Sequence, residues 1–96
     1  MTIKPFEDIP PGGALLTAYD LAHLPIYIEL LDAEKAPDRP WHQSVAALFG
    51  IDAAREPDRA RQVYEAHLAR ARWMTELGYR QLAELELHRR DSLDKH

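Results

Sequence analysis

Apolar residues along this chain recur at helical rather than strand spacing. In residues 17–36, TAYDLAHLPIYIELLDAEKA, Leu21, Leu24, Ile28 and Leu31 fall three or four apart, which on a 3.6-residue period puts them on one face of a helix. Thr17 and Asp20 precede them at capping-box spacing, so each can close an orphan donor of the first turn. Pro25 conflicts with a continuous helix, because inside one it removes a hydrogen bond and clashes with the preceding turn, at about 3 kcal/mol. Two solutions stay open: a helix kinked at Pro25, or a short turn followed by a helix whose first residue is Pro25.

APDRP, residues 36–40, breaks the pattern, and Pro40 suits a position at or near the start of the next helix. Trp41, Val45, Leu48 and Phe49 then follow at i, i+4, i+7 and i+8, the stripe of a short second helix. Gly50 should end it by taking the left-handed conformation, with Ile51 folding back as the hydrophobic contact of a Schellman cap. After the loop GIDAARE, Ala60, Val63, Tyr64, His67, Ala71, Met74, Gly78, Leu82 and Leu85 share a narrow arc at 100° per residue. This predicts a third helix of seven or more turns from Pro57. Gly78 lies in phase on that stripe, consistent with close approach of another helix or with a break into two helices.

The first thirteen residues, MTIKPFEDIPPGG, hold three prolines and two glycines, which denies them regular structure. The expected organisation is an irregular tail over residues 1–16 docked by Ile3, Phe6 and Ile9, a helical domain over 17–88, and a frayed end over 89–96. The fold class is all-α, a small helical bundle without a strand.

Composition narrows the chemistry. A chain of 96 residues is one domain, able to bury about 60 to 70% of its unfolded surface. There is no cysteine, so disulfides, thiolate metal sites and cysteine nucleophiles are absent and the cytoplasm is the expected compartment. No apolar run approaches the 18 residues of a membrane span, and the acids and prolines of the N-terminus do not suit a signal peptide. The five histidines, 23, 42, 67, 88 and 96, do not converge at metal-ligand spacing, and no phosphate loop or nucleophile elbow occurs. The reading is of a protein that is not an enzyme, with no cofactor and no small-molecule substrate. His67, on the apolar stripe, reads as a hydrogen-bonded core residue, and His96 as solvated.

Net charge is −4, unevenly placed: residues 1–56 carry 4 basic and 9 acidic side chains, residues 57–96 carry 8 and 7. An acidic front half opposes nucleic-acid binding, which rests on neutralising phosphates. Asp20, Glu29, Asp32 and Glu34 give helix one an acidic side, either a recognition surface or a plain solvent face. On the third helix Asp58, Arg61, Glu65, Arg72, Glu76 and Arg80 alternate in sign, and Arg61 with Glu65 and Arg72 with Glu76 sit at i, i+4.

In HLARARWMTELGYRQL, residues 67–82, Trp73 lies off the apolar stripe beside Leu77, between Arg70 and Arg80. It packs on the tail or helix one, or anchors a partner, as aromatic and arginine side chains do at interface hot spots. With Tyr79 and the helix-one residues Leu24, Tyr27 and Leu31, these form the candidate partner surface: Leu24, Tyr27, Leu31, Trp73, Leu77 and Tyr79. Two short helices, a loop and a longer helix also describe a helix-turn-helix with an extended turn. In that alternative Arg55, Arg59, Arg61 and Gln62 would meet DNA, among the carboxylates of Glu56 and Asp58.

TAYD followed by HL, ELLDA, LFGID, EPDRAR and HLARARWMTELGYRQL together resemble the QseM-type antiactivators of proteobacterial integrative and conjugative elements, over about Leu16 to Leu82. Pro25 and Pro40 depart from that pattern. The resemblance implies an extended-turn variant of the helix-turn-helix and a transcriptional antiactivator. Such a protein occupies the N-terminal domain of an FseA-like transcriptional activator, so that conjugative transfer genes stay silent. It also implies that a LuxR-type quorum-sensing regulator is a candidate second partner, and that DNA is not bound.

Overall fold

The protein, represented by a computed structural model, is described here over residues 4–36 and 38–94, with side chains to residue 87. Thr17 opens the first helix, α1 (Ala18–Ala22), with a complete capping box: its hydroxyl accepts from the Asp20 amide at 3.1 Å while the Asp20 carboxylate accepts from the Thr17 amide at 3.0 Å. The chain turns at His23 and restarts as α2 (Leu24–Glu34). Pro25 sits in the first turn of α2, where amide donors have no intrahelical partner and none is lost. Of the two expected solutions this is the turn, with Leu24 rather than Pro25 as first residue.

The turn resets the helical phase, and a stripe counted across it therefore fails. Leu21 and Ile28, expected on the inner face, are exposed, whereas Ile26, Tyr27, Leu30 and Ala33 are buried.

The second expected helix is α3 (Trp41–Phe49), capped by Pro40 in extended conformation. Gly50 ends it at φ 68°, and its amide reaches Ala46 O at 3.0 Å. That single bond defines the simpler left-handed cap rather than the expected Schellman motif. Ile51 is nonetheless buried.

From Pro57 one helical rod runs to Asp94, in three segments: α4 (Pro57–Trp73), a wide π turn (Met74–Gly78) and α5 (Tyr79–Asp94). At about 1.5 Å per residue, their 17, 5 and 16 residues set the 56 Å long axis of the molecule. Gly78 therefore neither breaks the helix nor admits another one. The Trp73 indole lies over it, and a Cβ there would stand 2.6 Å from Trp73 Cζ3. The helix also continues through residues 89–94, where fraying was expected.

Among the described residues the chain is all-α, with no strand. The larger core lies where α4 crosses α2 and α3, around Leu30, Val45, Phe49, Ile51, Ala60 and Val63. A smaller one joins Tyr27, Ala71 and Met74 beneath Leu16, Leu24, Leu31 and Trp73. The stripe on the long helix holds from Ala60 to Gly78 and then fails: Leu82 is half-buried and Leu85 exposed. Among the described residues no other helix packs along α5 beyond the π turn, and only the N-terminal segment meets it, at Gln81, so the outer part of its stripe has no helix to face.

Candidate interaction surface

Arg70 is a buried hub of the fold, not an exposed flank of an interaction patch. Its guanidinium is 7% exposed against an Asp20 side chain at 0%, with Nη2 and Nε donating to the carboxylate at 2.7 and 3.0 Å. The Tyr27 hydroxyl donates to the same carboxylate at 2.8 Å. Burial alone would push the Asp20 carboxyl up; bonds from Arg70, Thr17 and Tyr27 outweigh it and hold the group below its usual value. For Tyr27, burial and the neighbouring Asp20 charge raise the hydroxyl far above its ordinary value. Asp20 thus leaves the acidic face of helix one, and Glu34 pairs with Arg72, which was expected to pair with Glu76.

The remaining donors of Arg70 hold the N-terminal segment through Gly13 O and Leu15 O, each at 2.8 Å. Gln81 extends the same grip, donating to Ala14 O and accepting from the Leu16 amide. Farther up the segment, Phe6 packs edge-on against Phe49 with centroids 4.9 Å apart, and Asp8 pairs with Arg59 at 3.1 Å. Phe6 thus anchors the segment, whereas Ile9 is exposed and Ile3 lies outside the described residues.

The six expected partner residues do not form one surface. Tyr27 is buried, with its hydroxyl committed to Asp20. Leu24 and Leu31 are half-buried and pack into the smaller core. Trp73 is half-buried between the Arg70 guanidinium, 3.7 Å above its ring, and Gly78. Only Leu77 and Tyr79 stand well exposed, at 58% and 50%. Packing of α2 on α4 consumes the faces of Leu24, Tyr27 and Leu31 that were expected to be free, while Trp73 is covered from within its own helical rod.

Two residues the sequence reading did not place on a surface join Leu77 and Tyr79 as exposed apolar side chains, Leu85 at 50% and Leu87 at 60%. Leu15, Leu16, Gln81, Glu84 and Leu85 line a shallow groove where the N-terminal segment meets α5. Leu85 is in phase with the core stripe, so nothing local distinguished it from a core residue. Comparison with protein-family models, with curated proteins and with solved structures gives no match. What the surface can do must therefore be argued from its own chemistry.

The candidate DNA-contacting set is differently disposed. Arg59 is engaged by Asp8 and Glu56, and Arg61 by Glu65 at 2.8 Å while lying over the Trp41 ring. Arg55 and Gln62 are exposed. A cation already paired with a carboxylate gives up that partner when it takes a phosphate, which weakens the electrostatic gain on which such binding rests. Among the described residues no group of three or more His, Asp or Glu side chains is arranged to hold a metal ion. No helix there is long and apolar enough to cross a membrane.

Proposed function

We propose that the protein is a transcriptional antiactivator that works by sequestration, binding the N-terminal domain of an FseA-like activator and so keeping conjugative transfer genes silent. The proposal takes its partner from the sequence resemblance to QseM-type antiactivators. One structural observation supports it: the π turn and the α5 arm after it leave Leu77, Tyr79, Leu85 and Leu87 exposed, with no other helix packed on α5 among the described residues. A helix with free apolar side chains suits insertion into a hydrophobic groove of a partner. The −4 charge and the paired arginines at the start of α4 favour a protein partner over DNA.

Co-purification with candidate activators tests the class of function, with a LuxR-type regulator as a second bait. A complex that survives gel filtration and is lost in the double variant Leu85→Ser, Leu87→Ser is the expected result. If the double variant binds as well as the native protein, α5 is not the contact. The competing reading, a DNA-binding regulator using Arg55, Arg59, Arg61 and Gln62, requires a gel shift at low salt that weakens steeply as salt rises. We expect no shift at micromolar protein.

A further inference from the structure

Leu15 is 72% exposed, yet the backbone on either side of it is fixed at four points. Arg70 donates to Gly13 O and Leu15 O, each at 2.8 Å. The Gln81 side-chain amide donates to Ala14 O and accepts from the Leu16 amide, each at 2.6 Å. Gly13 takes φ 107°, a conformation that glycine enters and other residues resist, so the bend before Leu15 is set by residue type as well. A side chain on a loose tail loses its freedom when a partner binds it. Here folding has already removed most of that freedom, and a leucine is left held out in solvent.

Gln81 also ties this segment to α5. Glu84 and Leu85 follow it at i+3 and i+4, on the same side of the helix. Leu15 and Leu16 from the segment and Leu85 from α5 therefore wall one groove, with Glu84 as its single charged lining residue. Leu87, two positions past Leu85, lies about 200° around the helix and does not line it. Four backbone groups of the segment are already bonded and those of α5 are closed within the helix, so the groove offers little edge for an added strand. A partner must bring a backbone bonded within itself, which a helix does. Among the described residues Glu84 makes no ion pair.

We propose that the groove between the N-terminal segment and α5 is a docking site for one amphipathic helix that carries a lysine or arginine beside its apolar stripe. The proposal rests on the sequestration reading and names the chemistry through which the activator is held. Leu15, Leu16 and Leu85 take the stripe, and Glu84 takes the cation. A second copy of this chain fits less well, because α5 carries three arginines against four acids and offers Glu84 no surplus of positive charge. The docking surface is thus composite, half of it supplied by the segment that Arg70 and Gln81 hold.

The test follows leucine methyl signals by carbon-13 NMR as two synthetic helices are added, alike in their leucine stripe but flanked by lysine in one and glutamate in the other. The lysine-flanked helix is expected to shift Leu15, Leu16 and Leu85 together and to bind more tightly. Glu84→Lys should cut that preference about two- to fivefold, the scale of an exposed ion pair, whereas Glu29→Lys, the same charge change on α2, should not. Leu15→Ser and Leu85→Ser should each weaken binding about tenfold, and Leu87→Ser should not; Leu15 is exposed, so its urea midpoint should stay native. Shifts confined to α5, a preference that Glu84→Lys leaves intact, or shifts that follow protein concentration alone and so report a second copy, each overturn the site. The activator's N-terminal domain, added in the same way, separates this proposal from the reading beneath it. A complex that leaves Leu15 unmoved overturns the groove and keeps the reading; no complex, with the lysine-flanked helix still seated, overturns the reading and keeps the groove.

Discussion

The two ends of the molecule treat their side chains in opposite ways. Around α1 and the middle of α4, every buried side-chain polar atom among the described residues is hydrogen-bonded, and the N-terminal segment is tied down by Arg70, Gln81, His23 and Arg59. Along α5, Leu85 and Leu87 are open to solvent, and among the described residues the helix leans on nothing beyond the π turn and the Gln81 contact with the N-terminal segment. The first region carries the costs of folding, because each buried charge must find its partner or unfold the chain. The second contributes little to stability and is therefore free to serve a partner.

The sharpest way to break this contrast is at Arg70. Arg70→Met leaves the Asp20 carboxylate buried and unpaired, and about 3 to 5 kcal/mol of stability should be lost in urea unfolding. A loss under 1 kcal/mol would show that the pair is not the hub. Next in size, Tyr27→Phe removes one donor to that carboxylate and should cost about 1.5 to 3 kcal/mol. Tyr27→Ala, by contrast, would empty a core position and report on folding rather than on any partner.

At the boundary between the regions, Gly78→Ala places a Cβ 2.6 Å from Trp73 Cζ3 and should cost about 1 to 3 kcal/mol. Its near-ultraviolet circular dichroism should change as the indole leaves the Arg70 guanidinium. An unchanged spectrum would mean that Trp73 is not held there.

His67 gives the clamped region a pH dependence. Because its folded-state value lies below the ordinary 6.5, the unfolded chain binds a proton that the folded chain refuses. Its contribution is therefore complete above about pH 6.5 and declines as pH falls below that, down to the folded-state value. His67→Gln should flatten this part of the profile of urea midpoint against pH.

The smallest expected effect lies on the arm. Leu85→Ser with Leu87→Ser should leave stability within about 0.5 kcal/mol per site, measured by the same urea titration. A larger loss would mean that α5 is part of the core after all.

Much of the fold was legible in order along the chain. The Thr17 capping box, the stop at Gly50, the start at Pro57 and the stripe from Ala60 to Gly78 depend on residues within one or two turns of each other, and local rules suffice there. His67 was legible for the same reason, because an imidazole in phase with an apolar stripe finds the carbonyl of Val63 one turn back. The partner surface was less legible. Arg70 looked like a surface cation because its counter-ion lies 50 positions away, and Trp73 looked free because the guanidinium above it was assigned to solvent.

Sequence by itself determined that the chain is helical, where its helices begin and end to within a few residues, and that its balance of charge is acidic. These follow from periodicity, capping and composition, which act over one or two turns or on the chain as a whole. Tertiary structure alone decided which faces survive as surface. Packing α2 on α4 buried Tyr27 and the Asp20–Arg70 pair, and folding the N-terminal segment back brought Pro5 to His23. The absence of an opposing element among the described residues left the leucines of α5 exposed. A residue's exposure depends on what lies across from it, and that neighbour is fixed by the whole fold.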